Sequence, residues 1–341
     1  MHTPVRVLIT GCAGFIGSNF VRHLLNVGGV LHIVGLDLLT YAGSLDNLVD
    51  LSNPTRFVFQ KGSICDAALV SRLLREHQID TIVHFAAESH VDRSIEGPSA
   101  FVNTNVTGTF ALVQEARRYW LDERALGSQS VRFHHVSTDE VFGSLTPDAP
   151  HSREGDPYLP NSPYAASKAA SDHFVRAYHR TFSLPTTMTH CSNNYGPFQH
   201  PEKFIPTIIR SALAKKSIPI YGDGSNVRDW LHVHDHCVAI ERVITRAESG
   251  KTYNIGGKNG WSNNDVATLI CKFLDELLPS EAPHDRLLTF VTDRLGHDAR
   301  YAVCADKIAS DLGWQPTFAF EEALRDVVSW YVARMLPATN A

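Results

Sequence analysis

The chain has no apolar run approaching the roughly 18 residues that a membrane span requires, so no membrane role is expected. Cysteine is scarce and scattered. The six cysteines (12, 65, 191, 237, 271 and 304) form no C-x-x-C pair, which excludes a disulfide scaffold and fits a reducing compartment. Positive charge is not in excess either. Lys plus Arg number 31 against 36 Asp plus Glu, a net charge of −5 that argues against a broad basic face for nucleic acid. Internal repeats and low-complexity linkers are absent, and Met1 leads directly into Val5-Arg6-Val7-Leu8-Ile9 without a signal-peptide pattern, so a cytoplasmic location is expected. What the chain does have is a globular composition, 43% hydrophobic and 20% charged over 341 residues. That length suits one large domain with an appendage, or two domains sharing a cleft.

Short apolar runs alternate with helical patterns over the first 190 residues. Val5–Thr10, Leu31–Leu36, Phe57–Phe59, Thr81–Phe85, Phe133–Ser137 and Thr186–His190 read as strands, apolar enough to be covered on both faces. Phe15–Val27, Ala67–His77, Ser99–Glu123 and Pro163–Phe182 read as the helices between them. Repeated strand–helix–strand order implies right-handed crossovers and an α/β fold with a doubly wound parallel sheet, the Rossmann type of nucleotide-binding fold. Later the alternation weakens. Helices are expected at Phe204–Ala214, His234–Arg246, Asn263–Leu278 and Glu321–Met335, with Gly and Pro clustered at Tyr195–Pro201 and Tyr221–Ser225. Residues 1–190 are therefore read as a cofactor-binding domain to which some later segments return. Residues 191–341 are read mainly as a smaller, partly interleaved substrate domain.

Gly11, Gly14 and Gly17 follow the first strand and open the first helix in a G-x-x-G-x-x-G spacing. Such a turn lets the backbone approach a pyrophosphate, which then rests on the unpaired N–H groups of the helix start. Asp37 ends the second strand about 20 residues past the last glycine, where an acid binds the ribose hydroxyls of a dinucleotide. Its charge would repel a 2′-phosphate, which favours NAD over NADP.

Tyr164 and Lys168 are spaced i, i+4 and share a helix face. Ser162 supplies an N-cap and Pro163 the first helical position, which puts Tyr164 in the first turn. A neighbouring ammonium and the positive helix end should lower the Tyr164 pKa and prepare the phenol to accept a proton. Ser137-Thr138-Asp139-Glu140 lies at the carboxyl end of a central strand, where ligands of α/β sheets bind. In extended chain Asp139 and Glu140 would face opposite sides, so their pKa values could be split into an acid and a base.

These residues resemble the extended short-chain dehydrogenases/reductases, and within them the family of dTDP-glucose 4,6-dehydratases. The resemblance rests on Gly11–Gly17, Ala86–Ser94, Ser137–Gly143, Ser162–Lys168, Asn193–Pro197, Pro201–Lys203, Tyr221–Gly224, Val227–Trp230 and Asp293–Asp298. It implies an NAD-dependent hydro-lyase of nucleotide-sugar metabolism, supplying deoxysugars such as rhamnose, with tightly held, recycled NAD. Thr138, Asp139, Glu140, Tyr164 and Lys168 would be catalytic. Phe15, Ile16, Asp37, Leu38, Leu39, Thr40, Ile64, Ala86, Ala87, Ser89, Thr104, Tyr164, Lys168 and Asn194 would line NAD. Ser89, Thr138, Asn193, Lys203, Phe204, Pro219, Ile220, Tyr221, Arg228, Asn263, Asp293, Arg294 and His297 would line the sugar nucleotide, with Lys203, Arg228 and Arg294 as candidate diphosphate clamps. The resemblance also implies a homodimer built on Ser99–Glu123 and Pro163–Phe182. Three positions depart from the family pattern: Ser63 in place of an Asp, Phe142 in place of a Tyr and Leu295 in place of a Pro.

Other readings remain open at this point. A UDP-glucose dehydratase would use the same residues. A sugar C4 epimerase needs no C5 or C6 proton transfer and so leaves Asp139-Glu140 unexplained, whereas a non-catalytic NAD-binding sensor leaves the whole set unexplained. His232-x-His234-x-His236 with Asp235 has metal-ligand residue types, but a strand entering a helix there need not bring the imidazoles together, and no metal is expected.

Overall fold

Buried, near-continuous apolar strands build the centre of the molecule. The computed structural model describes residues 1–336. β1 (Arg6–Thr10), β2 (His32–Asp37), β3 (Phe57–Lys61), β4 (Thr81–His84), β5 (Arg132–Thr138) and β6 (Thr186–Cys191) form a parallel sheet. A seventh strand, Thr252–Ile255, arrives from the later half and pairs in parallel with β6. The spatial order is seventh strand, β6, β5, β4, β1, β2, β3. Successive strands leave β1 first on one side and then on the other, so the crevice opens at the carboxyl ends of β1 and β4. This is the doubly wound parallel sheet the alternation implied.

The pleat divides the core in two. Leu8 of β1 joins Ile82, Leu112, Trp120 and Phe133 on one face. Its neighbours Val7 and Ile9 join Phe20, Ile33, Val83 and Ile240 on the other. Each such side chain contributes about 1.5–3 kcal/mol on burial. Ile240 belongs to the helix Val233–Arg246, which packs on the first helix, Phe15–Val27. A separate core gathers Ile208, Trp230, Ile270, Phe273, Leu324 and Val328. Above it lie a three-stranded sheet (Asn193–Tyr195, Val227–His232 and Gly260–Ser262) and the parallel pair Ile218–Tyr221 and Leu288–Val291.

One expected element changes form. Ser99–Glu123 is not a regular α-helix, because the α-helical pieces Pro98–Phe101 and Thr109–Arg117 alternate with π-helical Val102–Gly108 and Arg118–Glu123. The β-branched residues Val102, Thr104, Val106 and Thr107 crowd a tight α turn. The wider turn carries buried Asn105, whose amide joins Glu88 O (3.0 Å) to Ser167 Oγ (2.8 Å) beside the crevice.

Candidate active site

The glycine turn ends β1 so tightly that side chains have no room. Gly11 has φ +69°, and a Cβ there would stand 2.7 Å from Ala86 N; one on Gly17 would stand 2.1 Å from Gly11 O. Asp37, at the end of β2, is held by this turn: Oδ2 accepts from Ala13 N (2.9 Å) and Oδ1 from Leu39 N (2.8 Å). Burial pushes its carboxyl up, and those two bonds pull it back.

Ser162 caps the helix Pro163–Phe182, its Oγ accepting from Ala165 N at 3.1 Å. Tyr164 and Lys168 share its buried face as the spacing predicts. The expected lowering of the Tyr164 pKa does not follow. Burial, then the charge of Glu140, pushes the phenol well above its ordinary value, against the Thr138 hydroxyl alone on the lowering side. Lys168 Nζ donates to Val136 O at 2.8 Å.

Asp139 and Glu140 are not in extended chain. Thr138 ends β5 and caps a 3₁₀ turn, Asp139–Phe142, with its Oγ1 accepting from Glu140 N at 3.3 Å. The two carboxyls nevertheless meet different surroundings. Asp139 is 4% exposed and its Oδ2 has no partner. Burial, then Glu140 and Asp229, drives its carboxyl far above the usual range, which favours the protonated acid. Burial also raises Glu140, but Arg228, Lys203 and Arg294 hold it back.

Two cavities meet here. The first, about 320 Å³, runs from Gly11, Gly14, Phe15, Ile16 and Gly17 past Asp37, Leu38, Thr40, Ile64, Ala86, Ala87 and Thr104 to Thr138, Asp139, Tyr164 and Lys168. The second, about 340 Å³, is lined by Phe204, Pro219, Tyr221, Arg228, Asn263, Arg294 and His297. Ser89, Glu140, Asn193, Asn194 and Lys203 border both, so Glu140 sits at their junction, with Asp139 beside it in the first cavity.

Three expected residues stand outside. Leu39 gives its backbone N–H to Asp37, Ile220 is buried in the second core, and Asp293 pairs with His297 Nδ1 (2.7 Å) at the surface. The candidate clamps are each anchored. Lys203 Nζ donates to Ser89 O (2.9 Å), and Arg294 Nε lies 3.4 Å from Asp92 Oδ1. Arg228 donates to Asp298 O (2.9 Å) over the Tyr301 ring.

Sequence reasoning missed Asp298 and Tyr301, which also line the second cavity. Asp298 closes the Asp-Arg-x-Gly-His stretch and so had a signal; Tyr301 had none. Ser63 lines the first cavity, and Phe142 packs on the Tyr158 and His190 rings. Leu295 is 75% exposed. The three spaced histidines diverge: His232 lies against Phe318, His234 against His23, and His236 Nδ1 against Asn194 Oδ1 (2.9 Å).

The profile of the GDP-mannose 4,6 dehydratase family matches residues 8–327. The dTDP-glucose 4,6-dehydratase of Shigella flexneri is 50% identical over 337 residues, covering 96% of this chain and 93% of its own. The dTDP-glucose 4,6-dehydratase of Streptomyces venezuelae, solved with NAD bound, superposes with a TM-score of 0.86 at 46% identity, covering 96% of this chain and 97% of that one. A UDP-glucose 4-epimerase from Thermotoga maritima reaches 0.84 at 25% identity, covering 97% of this chain and all of that one. Fold alone therefore does not separate dehydration from epimerisation. The sequence match does: with half of the aligned positions identical to a dehydratase across nearly its whole length, the chain belongs to the GDP-mannose 4,6 dehydratase family of extended short-chain dehydrogenases/reductases.

Proposed function

We propose that this protein is a dTDP-glucose 4,6-dehydratase, removing water from dTDP-glucose to give dTDP-4-keto-6-deoxy-glucose. The observation that carries the reading is the buried carboxyl pair, Asp139 in the first cavity and Glu140 where it meets the second, with Arg228, Lys203 and Arg294 facing Glu140. NAD is the cofactor: the glycine turn leaves its backbone bare, and Asp37 awaits a ribose at the far end of the first cavity. When bound, NAD supplies a hydride acceptor that later returns the hydride, and a positive charge.

The chain's own residues move the protons. Tyr164 would take the C4 hydroxyl proton as a phenolate, a form that the positive charge of bound NAD would favour against the burial that otherwise keeps it protonated. Thr138, at the strand end, would hydrogen-bond the same oxygen. The ammonium of Lys168 holds ribose hydroxyls. Oxidation at C4 acidifies the C5 proton, which Glu140 would remove while Asp139 donates its proton to the departing C6 hydroxyl; with the hydride returned to C6, Glu140 would give its proton back to C5. Lys203, Arg228 and Arg294 offset the diphosphate charge in the second cavity. Residues 1–190 with the returning strand Thr252–Ile255 serve the cofactor, and the remainder mainly the sugar nucleotide.

Incubating the purified protein with equimolar dTDP-glucose and UDP-glucose, then weighing the products, tests the reading. Loss of one water from the dTDP sugar is expected. Loss from the UDP sugar alone overturns the substrate, and loss from neither overturns the reaction.

A homodimer in the cytoplasm completes the reading. Phe110, Phe174 and Phe182 are about two-fifths exposed on adjoining helices, a patch that a second copy would cover, and every cysteine among the described residues is free. Among the described residues no helix is long and apolar enough to cross a membrane. Phe174→Glu should halve the mass measured in solution; an unchanged mass would place the interface elsewhere.

A further inference from the structure

Behind the face that carries Tyr164 and Lys168 lies a carboxylate that the proposed chemistry leaves unused. Asp172 is 1% exposed and follows Lys168 by four residues, so it continues the same helix stripe. Its Oδ2 accepts from Ser137 Oγ (2.8 Å) and Tyr158 OH (3.1 Å) and lies 3.2 Å from His190 Nε2. Its Oδ1 lies 3.1 Å from His135 Nε2. A carboxylate so deeply buried needs a matching charge. The imidazoles of His190 and His135 are its nearest basic neighbours. Burial, then the charge of Lys168, takes His135 down to about 4, so it stays neutral at working pH and contributes a hydrogen bond rather than a charge. Lys168, one turn earlier on the same stripe, makes no direct ion pair with Asp172; its Nζ donates to Val136 O (2.8 Å), next along β5 to the Ser137 that Asp172 holds. Its ammonium is weakened by burial, with Asp172 foremost among the groups opposing that loss.

The other titratable groups around Lys168 do not supply the missing charge. His84, like His135, is held neutral by burial. Cys191 of β6 is pushed up to about 12 and so stays a thiol. Tyr164 and Asp139 are both driven toward their protonated forms, and Glu140, the remaining anion, faces Arg228, Lys203 and Arg294. Ser137 directly precedes Thr138, so the hydrogen bond from Ser137 also ties the helix to the strand end bearing Thr138, Asp139 and Glu140.

We propose that Asp172 is a positioning residue for catalysis, supplying the buried negative charge that keeps Lys168 an ammonium and tying the Tyr164–Lys168 face to the end of β5. Its activity readout rests on the dehydration proposed above; the charge argument does not.

Asp172→Asn keeps the shape and removes the charge. Losing the countercharge lowers the pH at which Lys168 deprotonates, so activity and cofactor grip should fail earlier as pH rises. The alkaline limb of kcat is expected to move down by about one pH unit, with the plateau kcat lowered about tenfold and KM within about twofold of wild type. The affinity of cofactor-stripped protein for NAD, measured by calorimetry across the same pH range, should lose its alkaline shoulder at the same lower pH. Tyr158→Phe, which removes a neutral donor and leaves the charge, should leave both limbs in place. A loss of kcat with neither limb moved would overturn the proposal, since a merely structural role lowers activity equally at every pH. Wild-type protein inert toward the sugar, with the NAD limb moved, would refute the dehydration and uphold Asp172. If Asp172→Asn does not fold, Asp172→Ser carries the same test, and unfolding of both would overturn the positioning role.

Discussion

Asp139 is held in a surrounding that suits its chemistry at the expense of the fold, and replacing it with asparagine isolates that cost. The side chain is 4% exposed, Oδ2 has no partner, and Thr138 Oγ1 is 3.4 Å from Oδ1. Asparagine keeps the shape and the unpartnered atom, so the change lies in titration. An acid whose folded pKa is raised lends stability only below its unfolded value of about 3.9, and that stability is lost as pH rises toward the folded value. Asp139→Asn escapes the loss, and each pH unit between the two values is worth about 1.4 kcal/mol. At pH 7.5 the variant should therefore melt higher than wild type by about 2 °C or more, taking roughly 2 °C per kcal/mol for a chain of this size. The gain should shrink steadily toward pH 5. Dehydration should meanwhile fall by about 10²–10⁴-fold through loss of the proton donor. Calorimetric melts of both proteins from pH 8 to pH 5, with product masses, test this. A variant less stable than wild type at pH 7.5, or a gain that ignores pH, would refute the assignment of Asp139 as a buried, protonated acid.

Glu140→Gln removes the C5 base but leaves Tyr164, so it should stop water loss by at least about a hundredfold while C4 oxidation persists, seen as near-ultraviolet absorbance of reduced nicotinamide. Water loss at the wild-type rate would remove Glu140 from that role. Gly17→Ala drives a methyl to 2.1 Å from Gly11 O, a backbone atom that cannot swing aside. It should cost about 1–3 kcal/mol and most NAD affinity, measured by melting with and without NAD, whereas Gly127→Ala, with open space around it, should change neither.

Much of the site was legible because its signals are local. The glycine turn, Asp37 at a strand end, and Ser162, Pro163, Tyr164 and Lys168 each occupy one short stretch whose geometry follows from backbone rules. The doubly wound parallel sheet followed from the alternation of strands and helices. The 3₁₀ turn at Asp139–Phe142 was less legible, because a hydroxyl cap at Thr138 competes with extended chain there.

The sequence by itself determined the doubly wound sheet, the dinucleotide turn and the local placement of Tyr164 and Lys168 on one helix face and of Thr138, Asp139 and Glu140 at a strand end, since hydrophobic period and motif spacing are short-range properties. Only the tertiary structure decided their charge states and their company. Tyr164 is raised rather than lowered because burial and the charge of Glu140 outweigh the Thr138 hydroxyl. Asp298 and Tyr301 reach the second cavity, and Asp172 meets Tyr158, His135 and His190, across separations along the chain that no local pattern records. Desolvation and the sum of surrounding charges are properties of the packed interior, and they exist only once the chain has closed around them.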